Sequence, residues 1–327
     1  MSADILYIVV PCYNEQEVLP QTARRLQQKL EALFGEGRIS EKSRVLFVDD
    51  GSRDRTWELI EGLHGENPLF CGLKLSRNKG HQNALLAGLM QAKKHADAAI
   101  SMDADLQDDI GVIDNFLTEY ENGCEIVYGV RSSREKDSFF KRTTALGFYR
   151  FMSLMGADII ENHADCRLMS RRALEGLEEF SEINLFLRGI VPLIGYKSAV
   201  VSYERGERLA GESKYPLKKM LAFAFDGITS FSVKPIRLIT ITGFLVFAVS
   251  VGMLLYTIIR KWMGATVAGW AFLSCSIWMI GGVQLLSLGI IGEYVGKTYA
   301  ESKRRPRYFI EKWLGEQETR GREKTGE

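Results

Sequence analysis

The chain has 327 residues, with 42 Lys and Arg against 41 Asp and Glu for a net charge of +1. That length holds one large domain or two modest ones, and the charge balance lacks the basic excess of a nucleic-acid-binding protein, so no nucleic-acid partner is expected. The five cysteines (Cys12, Cys71, Cys124, Cys166, Cys275) are odd in number, scattered and without metal-ligand spacing, as reduced thiols of a cytosol-facing protein would be.

The start, MSADILYIVVPCYNE, lacks a basic leader and runs straight into a polar motif, so no cleavable signal peptide is expected. From there to about residue 230 the pattern alternates between strand and helix. ILYIVVP is a buried strand, and EQEVLPQTARRLQQKLEALF has apolar positions at helical spacing. RVLFVDDGS and TWELIEGLH repeat the pair, as do LFCGLKLS and HQNALLAGLMQAKKH. DAAISMDAD is a fourth strand, IGVIDNFLTEYENG a helix stopping at Gly123, and EIVYGVR a further strand. The strands do not alternate polar and apolar residues, which predicts a parallel sheet covered by helices on both faces.

Two stretches within this domain are less usual. SFFKRTTALGFYRFMSLMG (138–156) and YPLKKMLAFAFDGITSF (215–231) interleave basic and aromatic residues at helical spacing. Such helices are expected to lie in a membrane interface, their lysines and arginines toward lipid phosphates. Residues 238–259 and 267–291 carry no formal charge, and each suffices to cross about 30 Å of hydrocarbon. Lys234 and Arg237 precede the first stretch; Lys297, Lys303, Arg304, Arg305 and Arg307 follow the second. That asymmetry places both ends in the cytosol. The expected organisation is a cytosolic domain over 1–230, a membrane domain over 231–296 with two transmembrane helices, and a charged cytosolic tail over 297–327. Gly281 and Gly282 would allow helix contacts in a homo-oligomer.

The stretch MDADLQDD (102–109) sets four carboxylates behind the apolar run Ala98–Ile100. Crowded acids repel, so either this is a solvated helix-capping loop or a cation sits among them. Ligands of doubly wound sheets bind beyond the carboxyl ends of the strands. Here PCYNE (11–15), DDGSRDRT (49–56) and DADLQ (103–107) all occupy such ends. A hard divalent ion, Mg²⁺ or Mn²⁺, would relieve the repulsion, with Asp103 and Asp105 as ligands and the Gln107 amide as a further one. Neither GxxxxGK[ST] nor a strand-anchored GxGxxG is present, so phosphates would fall to the metal and to Lys79, Arg131, Arg208 and Lys214.

VVPCYNEQEVL, VDDGSRDRT, LSRNKGHQNALLAGL, MDADLQDD and RLAGESKYPLKKM resemble, in order and spacing, the family-2 glycosyltransferases of GT-A fold. More narrowly the chain is similar to the polyprenyl-phosphate sugar transferases, which include dolichyl-phosphate mannose synthases. It is most similar to the bactoprenol glucosyltransferases of O-antigen modification, which also carry two C-terminal spans. The resemblance implies a Rossmann-like GT-A domain, a nucleotide-sugar donor, a polyprenyl phosphate acceptor, a lipid bilayer and the inner membrane of a bacterium. It implies that Pro11, Tyr13 and Glu15 hold the nucleotide, that Asp49 and Asp50 read base and ribose, and that Ala104 lies alongside the nucleotide. Asp103 and Asp105 become the metal ligands with Gln107 as companion; Arg131, Arg208 and Lys214 surround the donor and acceptor phosphates. Asp165 is placed near the reaction centre, as a base or as an orienting group. Cys166 and Ser170 depart from the family pattern, and Cys166 reads as a small buried hydrophobe. His81 reads as a structural hydrogen-bonder.

The donor expected from the resemblance is UDP-glucose, with GDP-mannose or a UDP-aminosugar as alternatives. A membrane-anchored nucleotide-sugar sensor without turnover is the non-enzymatic alternative. A processive polysaccharide synthase is disfavoured because two spans are few for a channel and its Gln-x-x-Arg-Trp signature is missing.

Overall fold

A computed structural model describes residues 3–105, 107–131, 163–183, 185–203, 234–263 and 269–315. The expected interfacial stretches, and Arg208 and Lys214 with them, lie outside the described residues. The chain divides into two compact units. The first holds residues 1–142, 160–214 and 306–327, and the second holds 143–159 and 215–305.

The first unit begins with β1 (Leu6–Cys12), α1 (Leu19–Gly35), β2 (Arg44–Asp49), α2 (Thr56–Glu66), β3 (Phe70–Leu75), α3 (His81–Ala92) and β4 (Ala98–Ser101). It continues with α4 (Val112–Glu121), β5 (Ile126–Arg131), β6 (His163–Ser170), α5 (Arg171–Glu178), α6 (Leu187–Leu193), β7 (Ser198–Tyr203) and β8 (Ile310–Leu314). The eight strands form one sheet in the order β7-β5-β6-β4-β1-β2-β3-β8. β4, β1, β2 and β3 run parallel, as their unbroken apolar runs predict. All seven residues of β1 are buried. Strand order reverses at β1, so that β4 lies on one side of it and β2 and β3 on the other. This switch point is where an open α/β sheet leaves its crevice.

α1 shows why the helices cover this sheet. Leu19, Thr22, Ala23, Leu26, Leu30 and Leu33 recur every three or four residues and are all buried, while Arg24, Arg25, Gln28 and Glu31 face out. α3 lies closer still, because a Cβ at Gly88 would meet Val9 Cγ1 at 2.4 Å and Val48 Cγ2 at 2.6 Å. The Cys166 side chain is fully buried in the core, as expected. Among the described residues Cys12, Cys71, Cys124 and Cys166 form no disulfide.

Two features differ from expectation. β6 runs antiparallel to both β4 and β5, so the sheet is mixed. Residues 310–314, within the stretch expected to be a charged tail, form β8 antiparallel to β3. There Trp313 stacks on His95 at 6.0 Å between ring centroids, and His95 stacks in turn on Tyr7 at 6.2 Å.

The second unit contains α7 (Lys234–Trp262) and α8 (Trp270–Ser302), of 29 and 33 residues. Among the described residues one stretch, Met279–Ser302, is long and apolar enough to cross a membrane. Among the described residues one candidate thus stands where two spans were expected, and it overlaps the second of them.

Candidate active site

Register explains which residues meet. Ser101 of β4 pairs with Arg167 of the antiparallel β6, so two residues past the end of β4 the chain brings Asp103 to the same edge of the sheet as Asp165 of β6. β1 and β2 end beside them at Cys12 and Asp49. Arg131 closes β5, opposite Tyr203 of β7, at the carboxyl end of its strand.

The loops after β1 and β2 are bonded into one unit. The Asn14 and Glu15 N–H groups donate to Ser52 Oγ at 3.0 Å and Thr56 Oγ1 at 2.9 Å. In return the Arg53 N–H donates to Asn14 Oδ1 at 2.9 Å. Pro11 is buried opposite Val48, while Tyr13 projects with 41% of its surface exposed. Asp50 carries the bonding on to the loop after β3. Its oxygens accept from the Lys79 N–H at 2.7 Å and the Gly80 N–H at 2.8 Å, so this carboxylate has a structural task. Lys79 thus enters the site through its backbone. Burial raises the Asp50 carboxyl in spite of those two bonds. Asp49 is fully buried; Oδ1 accepts from the Ser52 N–H at 3.2 Å, and Oδ2 has no hydrogen-bond partner among the described residues. Burial raises its carboxyl too. A buried acceptor without a donor suits a ligand N–H or hydroxyl.

The acidic run sorts into two pairs. Asp109 Oδ1 accepts from the Gly111 N–H at 2.9 Å, ahead of α4. Asp108 is buried and accepts from the Tyr203 hydroxyl at 2.6 Å. These two acids are structural. Asp103 and Asp105 belong to the turn beyond β4, where Asp105 Oδ1 accepts from the Gln107 N–H at 3.2 Å. Ala104 is buried and Thr22 Oγ1 of α1 lies 2.7 Å from its carbonyl oxygen. Gln107 is also buried. Burial pushes the Asp103 carboxyl up to about 6; His81 opposes the rise, while Asp165, Asp108 and Asp105 add to it.

Asp165 has the opposite surroundings. Arg188 of α6 grips it with Nε at 3.0 Å from Oδ1 and a terminal nitrogen at 2.9 Å from Oδ2. A terminal nitrogen of the fully buried Arg167 lies 3.2 Å from Oδ1. Burial alone would raise this carboxyl, but Arg188, Arg167 and His81 together hold it well below the usual carboxylate range. His81 Nε2 stands between the two acids, 3.8 Å from Asp103 Oδ1 and 3.7 Å from Asp165 Oδ2.

Among the described residues no group of three His, Cys, Asp or Glu side chains forms a ready-made metal cage. Two crowded carboxylates at an open strand end instead suit Mg²⁺ or Mn²⁺, which completes its shell with water and substrate phosphates. Arg167 and Arg188 have no counterpart in the sequence expectations. Their only signal was one arginine inside each of two apolar stretches, CRLM and FLRGIVPL.

A family model described as glycosyl transferase family 2 matches residues 7–177. The chain belongs to that family. It is therefore a glycosyltransferase, and the residues just described sit within or beside the matched segment. A second model, the GtrB C-terminal hairpin, matches residues 234–298 of the transferase. The transferase is 58% identical over 310 residues to the uncharacterized glycosyltransferase YkoT of Bacillus subtilis, covering 95% of this chain and 92% of that one. It is 39% identical over 308 residues to the bactoprenol glucosyl transferase of Shigella phage SfV, covering 93% and 97%. Among solved structures the chain is similar to glucosyl-3-phosphoglycerate synthase of Mycobacterium tuberculosis with Mn²⁺, UDP and glucosyl-3-phosphoglycerate. Its likeness is 16% identity at a TM-score of 0.40, over 69% of this chain and 78% of that one.

Proposed function

We propose that the protein transfers a hexose, glucose from UDP-glucose, to a polyprenyl phosphate at the cytosolic face of a bacterial inner membrane. The observation that carries this reading is 39% identity across 93% of the chain to an enzyme named for bactoprenol glucosylation. A site with two carboxylates beyond β4 and a buried acceptor at Asp49 supports it. So does the surface of α7 and α8, where Phe244, Val249, Leu285, Leu286 and Leu288 are each more than half exposed. Bare apolar area of that kind suits a lipid environment. Both helices span the bilayer in this reading, with both chain ends in the cytosol.

The acceptor phosphate, whose second pKa lies near 6, is already largely anionic at neutral pH and needs no strong base to attack. Its oxygen forms the new bond to the anomeric carbon as the bond to the nucleotide diphosphate breaks, and single displacement inverts that carbon. Asp103 and Asp105, with Gln107 beside them, would hold a divalent cation. That ion would supply Lewis-acid stabilisation of the departing diphosphate. Asp49 accepts a bond from the nucleotide, and Tyr13 and Glu15 line its entry. Arg131, Arg208 and Lys214 counter the charge of the two phosphates.

Purified protein given undecaprenyl phosphate, Mg²⁺ or Mn²⁺ and a panel of labelled nucleotide sugars tests the reading. Labelled lipid from UDP-glucose, lost in excess EDTA, is expected. Absence of labelled lipid with every donor, or equal yield in EDTA, overturns it.

A further inference from the structure

Three elements are committed to one carboxylate. Asp165, on β6, is 20% exposed and takes three bonds from two guanidinium groups. The turn that presents Arg188 is itself fixed from both sides. The Leu187 N–H donates to Gln82 Oε1 of α3 at 3.0 Å, and the Leu187 carbonyl accepts from Arg167 at 3.3 Å. The same start of α3 supplies His81, which faces Asp165 and Asp103 together. Burying Arg167 completely is costly, and a single partner would have satisfied one carboxylate. A two-pronged arginine fixes angle as well as charge.

We propose that Arg188 is a positioning residue: its fork holds the Asp165 carboxylate at one angle as a permanent anion facing the donor site. This rests on the glycosyltransferase reading above. A carboxylate gripped by two guanidinium groups is a poor proton acceptor and a good hydrogen-bond acceptor. Asp165 Oδ2 takes only one of the three bonds, which leaves it capacity for a hydroxyl of the donor hexose. The proton-accepting role is unnecessary for an acceptor that arrives ionised. Asp165 therefore orients the sugar, and Arg188 orients Asp165.

The test is a double-mutant cycle in the full-length enzyme, with Arg188→Gln, Asp165→Asn and the pair. Transfer to polyprenyl phosphate is measured at saturating Mn²⁺. Each single change should lower kcat by about 10²-fold, the scale of a misplaced reacting group, with donor KM within about twofold. The pair should lose no more than the worse single variant, because the second change removes nothing the first had left. Arg188→Lys, which keeps charge without the fork, should recover about tenfold of the Arg188→Gln loss. Should Arg188→Gln fail to fold by thermal melting, Arg188→Lys carries the cycle in its place. Losses that multiply, or a raised donor KM at intact kcat, overturn the proposal alone. A wild-type enzyme that forms no lipid-linked hexose overturns the functional reading, and the proposal with it.

Discussion

Thr22 Oγ1 lies 2.7 Å from the carbonyl oxygen of Ala104, joining the first turn of α1 to the turn that carries Asp103 and Asp105. Both residues are buried. Thr22→Val keeps the shape and deletes the donor, leaving a buried carbonyl short of a partner. The expected cost is about 1–3 kcal/mol of stability in a denaturant titration. Because the bond also sets the height of the acidic turn, the Mn²⁺ concentration for half-maximal transfer should rise by a factor of about 3–10. An unchanged Mn²⁺ titration would confine Thr22 to a folding role.

Gly51 follows the two buried aspartates with φ of +66°, and a Cβ there would stand 2.6 Å from the Asn78 nitrogen. Gly51→Ala combines an unfavourable backbone region with a clash against main chain, and should cost about 2–4 kcal/mol. The loops after β2 and β3 should separate, so UDP affinity measured by calorimetry should fall as well. A variant that melts with wild-type enzyme would contradict the packing described here.

Asp103→Asn should separate activity from stability. Turnover should fall by about 10²-fold or more, the scale of losing one well-placed electrostatic group, and the variant should remain folded. In metal-free buffer its stability should rise. The native carboxyl sits at about 6 against an ordinary 3.8, raised first by burial. An acid whose native pKa exceeds its unfolded value favours the fold while protonated and loses that advantage as pH rises through the native value. The penalty is thus absent below pH 3.8 and complete above about 6. With 32% of the side chain exposed, solvent screening reduces the gain on substitution to about 1–2 kcal/mol. Thermal melting in EDTA should place the variant about 2–4 °C above wild type at pH 8, with a smaller gap at pH 5. An equal gap at both values would count against a carboxylate cluster.

The strands legible in the sequence are those with continuous apolar runs, β1 to β5. β6 reads HADCRLMS, its run broken by Asp165 and Arg167, which the site requires. β7 alternates exposed with half-buried positions and ends on buried Tyr203, a pattern short enough to pass for a loop. β8 lies among charges that pair across the sheet edge, Lys312 with Glu61 and Glu311 with Lys74, and such charges read as a solvated tail. The polar loops after β1 and β2 and the paired acids beyond β4 were legible because their residues cluster in sequence. The arginine grip on Asp165 could not, since Arg188 lies on α6, 23 residues from Asp165 on β6, and the two meet only where the start of α6 is bonded to Gln82 and Arg167.

Deleting residues 234–302 and closing the gap with a flexible linker keeps β8 in the chain. UDP–Mn²⁺ affinity should stay within about threefold of the full-length value, while transfer to long-chain lipid acceptor should fall by about 10²-fold, the scale set by loss of effective concentration at the membrane. Equal use of lipid acceptor by the deleted protein would show that tethering contributes nothing.

β8 joins β3 across roughly 240 positions of chain, with both long helices encoded between the two partners. The outer edge of β3 therefore stays open during synthesis until residues 310–314 have left the ribosome. By then α7 and α8 have already been made. An exposed edge recruits strands from other chains, so the interval before closure is when nascent protein is most vulnerable. Completion of the sheet thus waits on synthesis of both long helices, and a cell would meet a finished sheet only in molecules whose helices had been made first.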